Sequence, residues 1–190
     1  HHGSRVITMA RAHLKDFSEV DPMANEVEQL EAGLPQDEHR SGDGPSGPVT
    51  LGEGDFKYEV SGQNWGTLPD GWNYQEATSV AVDANDRIYV FNRGTSPMVV
   101  FDTDGNMGDN WGEGQFSNPH GVTVAPDGNL FPVDNGDGTI KKFTPSGELL
   151  MTLGEANKPT PKMSGEPFSV PTHVGVDKKT GEFYVADGYS

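Results

Sequence analysis

The chain has 190 residues, of which 33% are hydrophobic, and it carries a formal net charge of −16. Such an acidic surface repels phosphate backbones, which argues against a nucleic acid partner, and no apolar run is long enough for a membrane span. The lack of cysteine excludes disulfides and thiolate metal sites, while 25 glycines and 14 prolines predict many turns and short strands.

Residues 1–55 are predicted to form a loosely ordered N-terminal segment. Asp21-Pro22 would open a short acidic helix and Gly33 with Pro35 would close it, so a short helix is the one regular element expected here. The stretch 41–48 is rich in glycine, proline and serine and has the composition of a flexible linker. No charged stretch followed by an apolar run is visible, so the sequence shows no secretory signal.

Residues 56–66 are predicted to form one isolated outer strand. The side chains from Phe56 to Val60 alternate with a period of two, as those of a half-buried strand do. The stretch ends at Trp65-Gly66, a pair that recurs as Trp111-Gly112 further along the chain. In a ring of sheets, such a strand completes the last sheet when the two chain ends meet.

Two later stretches share a pattern of four short apolar runs joined by glycine-containing turns, which predicts a four-stranded antiparallel sheet for each. Val80 and Val122 are 42 positions apart, and so are the closing glycines, so the copies match at both ends without a gap. Repeats of about 40 residues with four strands each are typical of β-propeller blades. The predicted blades are 79–112 and 121–154, with a partial blade at 173–190.

Candidate functional residues lie at the ends of the predicted second strands and at the connections into the next blade. These places converge near the channel axis of a propeller, where ligand groups collect. Arg93 follows a second strand, His120 lies in the connection entering the second blade, and Tyr189 lies at the matching corner of the third, so all three are expected to face a common centre. Counting from the first strands places three residues in one column: Asn92, Asp134 and Asp187.

These residues resemble those of a known family. The repeats are similar to NHL repeats, and their ordered arginine, histidine and tyrosine motifs resemble the peptidyl-α-hydroxyglycine α-amidating lyase family of six-bladed propellers. The resemblance covers about residues 56 to 190. The motifs that carry it are Ser79-Val80-Ala81, Asn92-Arg93-Gly94, Pro119-His120-Gly121-Val122, Pro171-Thr172 and Val185-Ala186-Asp187-Gly188-Tyr189.

The resemblance implies an all-β fold of NHL-type propeller blades in a partial ring. Six blades of about 40 residues need about 240 residues of repeats, so the chain supplies about half of a six-bladed propeller. The rest of the propeller chain is therefore needed for closure, and we expect the 190-residue chain to be inactive on its own. The family also favours a secreted or periplasmic location.

The resemblance further assigns cofactors and site residues. In the family, three histidines hold an axial zinc, backbone carbonyls hold a nearby calcium, and a tyrosine and an arginine act on the substrate. His120 matches the first zinc ligand, and the other two zinc histidines are expected beyond residue 190. The carbonyls of Val80 and Val122 match the calcium contacts. Arg93 matches the active-site arginine and Tyr189 the catalytic tyrosine.

The implied reaction cleaves the N–Cα bond of a C-terminal α-hydroxyglycine in a small-molecule or peptide substrate, giving a peptide amide and glyoxylate. The hydroxyl group must lose its proton, and zinc lowers the pKa of an oxygen bound to it by many units. A tyrosinate of Tyr189, stabilised by Arg93, would accept that proton, and the same phenol would return one to the amide nitrogen. The neutral imidazole of His120 suits zinc.

Alternatives remain open at the level of residues and of the protein. Pro-His-Gly is common at the start of a blade, Arg93 can pair with an acidic neighbour, and Tyr189 can be a packed aromatic. His173 stands where the family usually has aspartate and aligns with Gly121, so it is predicted to be structural. A non-catalytic NHL binding scaffold and a gluconolactonase-like propeller hydrolase are the competing functions, because one fold hosts all three.

Overall fold

The computed structural model describes residues 49–60, 65–162, 164, 166 and 168–188. These residues form twelve β-strands and no helix, which confirms the all-β prediction for this part of the chain. Within the same ranges there is accordingly no helix long and apolar enough to cross a membrane. The predicted short helix and the linker up to residue 48 lie outside the described residues.

The first two strands form a hairpin, where the sequence predicted one isolated strand over 56–66. Strand β1 (Val49–Leu51) pairs antiparallel with β2 (Tyr58–Val60), so the outer strand is shorter than predicted and has a partner in the segment 1–55 that was predicted to be loosely ordered. Gly52, with φ of 87°, shapes the loop, since a Cβ there would lie 2.0 Å from the Phe56 carbonyl oxygen. Strands of three residues are too short for alternation to reveal them.

The end of the predicted outer strand is instead packed against a later part of the chain. Trp65 is not in a strand, and its ring lies 5.2 Å from that of Phe101 with Nε1 donating to the Thr103 carbonyl at 3.1 Å. The predicted match between Gly66 and Gly112 holds in backbone geometry, because both have positive φ, of 84° and 95°. The likeness of these two glycines therefore reflects a shared turn rather than a shared strand end.

The predicted blades are present as two four-stranded antiparallel sheets and one two-stranded sheet, each with its strands in sequential order. This arrangement confirms the propeller-blade fold class. The first sheet contains β3 (Ala77–Val82), β4 (Ile88–Asn92), β5 (Met98–Phe101) and β6 (Met107–Trp111). The second contains β7 (Pro119–Val124), β8 (Leu130–Asp134), β9 (Thr139–Phe143) and β10 (Leu149–Leu153), and the third β11 (Pro171–Val176) and β12 (Phe183–Asp187).

Each sheet's first strand begins two residues earlier than the sequence predicted. The reason is a bulge, a shift in pairing register, that recurs near the start of β3, β7 and β11. A bulge interrupts the alternation of side chains, so the period-two pattern becomes readable only after it. The shifts fall between Ala77 and Ser79, between Pro119 and Val122, and between Pro171 and His173.

The hydrophobic core lies between successive sheets. Tyr89 and Phe91 of the first sheet pack with Val122 and Leu130 of the second, and all four side chains are buried. The second interface repeats this arrangement, with Val174 of β11 completely buried against the second sheet. The first strands β7 and β11 thus each supply a valine that covers the preceding sheet, and burial of one such side chain is worth roughly 1.5–3 kcal/mol.

The three first strands lie side by side and are joined by side chains. Ser79 of β3 accepts a hydrogen bond from the backbone N–H of Val122 in β7 at 3.1 Å. Thr123 of β7 donates from its hydroxyl to the Val174 carbonyl of β11 at 2.5 Å. Strand β7 is therefore held between its two neighbours, and it contains the predicted site residues His120 and Val122.

Candidate functional site

The three residues predicted to form one column occupy equivalent positions in the three sheets, and two of them have a structural role. Asn92, Asp134 and Asp187 each pair with the first residue of their sheet's first strand. The buried Asp134 carboxylate accepts the backbone N–H groups of Ser117 and Asn118, at 2.5 and 2.8 Å. Asp187 does the same for the matching residues before β11, so both aspartates fasten a blade to the loop that leads into it.

Arg93 links the first sheet to the second at one corner. Its Nη1 forms an ion pair with the Glu76 carboxylate, and its Nε donates to the Pro119 carbonyl at 3.2 Å. Pro119 immediately precedes His120, so the structure brings these two predicted site residues to the same corner. The Arg93 side chain is 31% exposed, which leaves the guanidinium in contact with solvent.

The Arg93–Glu76 pair has a counterpart in the other sheets, which sequence reasoning missed. The Arg93 N–H donates to the Glu76 carbonyl at 3.0 Å, and the corresponding bond joins Asn135 to Asn118 at 3.2 Å. The side chains of that second pair also meet, with Nδ2 and Oδ1 2.6 Å apart. The 42-residue spacing relates the members of the two pairs, so it was the signal that would have singled out Glu76.

His120 reaches across to the third sheet. Its Nδ1 lies 3.0 Å from the Thr172 carbonyl oxygen. Because a carbonyl can only accept, the ring proton resides on Nδ1, and Nε2 is the nitrogen that carries the lone pair in the neutral ring. Histidines that bind zinc usually donate their second ring N–H to a carbonyl or carboxylate in this way. His120 therefore fits the requirements of one zinc ligand.

A second imidazole lies on the neighbouring strand. The Thr123 hydroxyl donates to the Val174 carbonyl, so at 3.4 Å it can only accept from Nε2 of His173. By strand register, His173 corresponds to Gly121, as the sequence predicted, and not to His120. The contacts seen for His173 are thus with the neighbouring first strand, in keeping with a structural role.

The two predicted calcium contacts lie on adjacent strands at the same register. Val80 pairs with Val90 and Val122 with Pro132, each two residues before the column residue of its sheet. The hydrogen bond from the Val122 N–H to Ser79 brings the two backbones together next to these residues. Their carbonyl groups remain a prediction for calcium.

The residues described so far do not make up the whole predicted site, which also includes further zinc ligands and Tyr189. In the part of the chain that the structure describes, no group of three His, Cys, Asp or Glu side chains could hold a metal ion. His120 fits one ligand position, and a complete zinc site needs others. Tyr189 lies outside the described residues, which end at Gly188, so its catalytic role stays a prediction.

Comparison with known proteins gives two kinds of relative, while no family model matches the chain. Peptidyl-α-hydroxyglycine α-amidating lyase 1 of Drosophila melanogaster is 40% identical over 100 residues, which cover 51% of the chain and 18% of that protein. NHL repeat-containing protein 3 of Mus musculus is 33% identical over 119 residues, or 57% of the chain and 34% of that protein. The chain thus spans well under two thirds of these relatives.

These similarities confirm the resemblance to NHL-repeat proteins and to the amidating lyases. Among solved structures, virginiamycin B lyase from Staphylococcus aureus aligns with 66% of the chain and 45% of its own length, at 14% identity and a TM-score of 0.44.

Proposed function

We propose that the chain is part of a zinc-assisted lyase that cleaves the N–Cα bond of a peptide's C-terminal α-hydroxyglycine, yielding the peptide amide and glyoxylate. The observation that carries this proposal is the hydrogen bond from Arg93 Nε to the Pro119 carbonyl, which joins the predicted active-site arginine to the residue before His120. The 40% identity to an amidating lyase over half of the chain supports the same assignment.

The proposed reaction moves one proton and breaks one bond. The substrate hydroxyl loses its proton as its C–O bond becomes the aldehyde C=O of glyoxylate, and the electron pair of the N–Cα bond goes to the amide nitrogen. Tyr189, as tyrosinate, takes the hydroxyl proton and the phenol then gives a proton to that nitrogen, so nothing is consumed overall. Arg93 stabilises the tyrosinate by its positive charge, at a corner where its guanidinium meets solvent.

His120 is the residue of this chain proposed to hold zinc. Its hydrogen bond to Thr172 places the lone pair on Nε2, which is the form that a zinc ligand needs. A Lewis acid that makes a hydroxyl proton more acidic is the chemistry that zinc supplies when bound. The carbonyls of Val80 and Val122 are proposed as calcium contacts, and oxygen ligands of this kind suit calcium.

We also propose that activity requires further repeats. The chain spans 18% of the first relative and 34% of the second, so a complete ring would need strands and zinc ligands from additional sequence. On the family resemblance alone, a secreted or periplasmic location is proposed for the enzyme.

A binding scaffold is the second candidate function. The similarity to NHL repeat-containing protein 3 favours it, and so does the ion pair with Glu76, which gives Arg93 a structural role without any chemistry. The two functions differ in what Arg93 does for turnover, which makes this residue the one to test.

The test measures glyoxylate released from a peptide ending in α-hydroxyglycine, in the presence of zinc, by a protein that includes every repeat its gene encodes. Arg93→Gln is expected to lower kcat/KM by about 10²–10³-fold, as removal of one positioned charge or donor at a reacting centre does. Arg87→Gln is the matched control, because Arg87 lies next to β4 at its other end, is similarly exposed and also pairs with a carboxylate, that of Asp83. It should retain wild-type turnover.

Two results would overturn the proposal. Absence of glyoxylate release from the wild-type protein with zinc would favour the scaffold. Equal losses in the Arg93 and Arg87 variants would show that both arginines act only on stability.

A further inference from the structure

We propose that Gly121 is a positioning residue: its missing side chain lets the β11 backbone approach β7 closely enough for the Thr172 carbonyl to fix the ring of His120. This inference rests on the proposed role of His120 as a zinc ligand. A carbonyl that accepts the second ring N–H of a ligating histidine sets both the tautomer and the orientation of the ring. Here that carbonyl comes from another sheet, so its position depends on how closely the two first strands pack.

The approach is closer than any side chain at residue 121 would allow. A Cβ on Gly121 would lie 2.4 Å from the Thr172 carbonyl oxygen, the same atom that receives the His120 N–H. It would also lie 2.8 Å from His173 Nδ1 and 3.2 Å from His173 Cα. Two of these three atoms belong to the backbone, so even alanine would have to push β11 away from β7.

The conformation of residue 121 does not itself require glycine. Gly121 is not among the residues with positive φ. Ser79 and His173 occupy the same register in β3 and β11 and carry side chains there, after a bulge of the same kind. The space beside Gly121 is instead taken by the Thr172 carbonyl of β11, so the glycine serves the contact between strands rather than the strand's own geometry.

A second bond shows that β11 cannot move away without further loss. The Thr123 hydroxyl donates to the Val174 carbonyl at 2.5 Å, two residues along from Thr172 on the same strand. Thr172 and Val174 are thus both held on β7, with His173 between them. A side chain at 121 that displaces this segment would release the His120 ring and strain the Thr123 bond together.

The experiment compares Gly121→Ala with Gly175→Ala. Gly175 is a first-strand glycine on β11 where an added Cβ meets nothing within 4 Å, so it controls for the alanine itself. In the metal-free protein at about pH 8, nitrogen-15 spectra show which ring nitrogen of His120 carries the proton. The signal is assigned by its loss in His120→Gln.

We expect the proton on Nδ1 in the wild type and in Gly175→Ala, and on Nε2 or shared between both nitrogens in Gly121→Ala. Zinc affinity, measured by competition with a chromophoric chelator, should fall about 10–100-fold in Gly121→Ala only, as it does when an outer-shell partner is lost. If that variant does not fold, Gly121→Ala combined with His173→Ala replaces it, because the double variant removes the ring contact but keeps the contact on the Thr172 carbonyl.

The readouts separate this inference from the proposed function. A shifted tautomer in Gly121→Ala, in a protein whose wild type binds no zinc, would support the positioning role and contradict the zinc site. A proton on Nε2 in the wild type would overturn the inference. So would an unchanged tautomer and unchanged zinc affinity in Gly121→Ala, even in an active lyase.

Discussion

The two full sheets agree in strand order, register and bulge, yet they bury the same residue differently. Val122 in the second sheet is 2% exposed, while Val80 at the equivalent place in the first sheet is 47% exposed. Val122 packs on buried side chains of the first sheet, including Tyr89 and Phe91. Burial of a repeat residue is thus a property of the interface between neighbours and not of the repeat itself.

The column residues of the two sheets differ in a second way. Asn92 donates from Nδ2 to the Ser96 and Pro97 carbonyls, at 2.9 and 3.0 Å. Asp134 makes no such donation: its carboxylate accepts hydrogen bonds from backbone N–H groups, and the Lys141 ammonium forms an ion pair with it at 3.6 Å. One position in the repeat therefore faces acceptors in the first sheet and donors in the second, and the residue type follows the local demand.

Removal of the Asp134 carboxylate should break the second sheet most severely. Asp134→Ala removes a buried carboxylate that accepts hydrogen bonds from the backbone N–H groups of Ser117, Asn118, Gly136 and Asp137, and it is expected to cost about 3–5 kcal/mol in the free energy of unfolding. Asp134→Asn imports the residue of the first sheet and should cost about 1–3 kcal/mol, because its amide must point an N–H group at another N–H. Chemical denaturation measures both values. An Asp134→Asn variant with an unchanged free energy of unfolding would show that asparagine and aspartate are interchangeable at this position of the repeat.

The valine pair tests the interface argument with the same substitution on both sides. Val122→Ala should lower the free energy of unfolding by about 2 kcal/mol, since it removes buried methyl groups and leaves a cavity between the sheets. Val80→Ala, in the same register, should cost less than about 0.5 kcal/mol. Equal costs in denaturation experiments would mean that a partner covers Val80 as well, and would remove this difference between the sheets.

The smallest expected effect on stability comes from the ion pair between Asp127, in a hairpin turn, and Lys142. The hydrogen bond from Lys142 lowers the pKa of Asp127 to about 2, below its ordinary value of 3.8. Because the folded-state pKa is the lower one, this stabilisation is complete above about pH 4 and is lost as the pH falls towards about 2. Asp127 is 48% exposed, so the loss should stay below about 1 kcal/mol.

Asp127→Asn should abolish that part of the pH dependence between about pH 5 and about pH 2.5, as followed by urea denaturation. In the first sheet, burial acts to raise the pKa of Asp83, but hydrogen bonds from Arg87, Asn85 and Tyr89 lower it overall. The Asp83 contribution therefore remains in the Asp127 variant. A pH profile that Asp127→Asn leaves unchanged would assign the whole acid sensitivity to groups other than Asp127.

The sequence predicted the parts of the fold that depend on local pattern. The 42-residue repeat and the glycine turns located all ten strands from β3 to β12, because each carries readable alternation or sits beside a turn. The β1–β2 hairpin was missed, since three-residue strands have no period, and each bulge hid the start of a first strand. Both errors concern places where backbone pairing, not side-chain pattern, defines the strand.

The candidate site was predictable only in part. The repeats predicted that Arg93, His120 and Tyr189 come from equivalent blade corners and face a common centre. In the structure, Arg93 Nε donates to the Pro119 carbonyl, next to His120. The partners of these residues, Glu76 and the Thr172 carbonyl, depend on how neighbouring sheets approach each other, which a single repeat does not encode. Tyr189, zinc and calcium stay predictions.

His120 lies beside the bulge near the start of β7, at a position where the three first strands do not all carry the same residue. Thr78 and Thr172 occupy the same register in β3 and β11, and their hydroxyl groups bond to the Phe91 and Ala186 carbonyls of their own sheets, at 3.1 and 3.0 Å. His120 in this place reaches the next sheet instead. One substitution per repeat at this position, such as Thr78→His, can therefore add or remove an imidazole during evolution or by design. The hairpins that build each sheet are not changed by it.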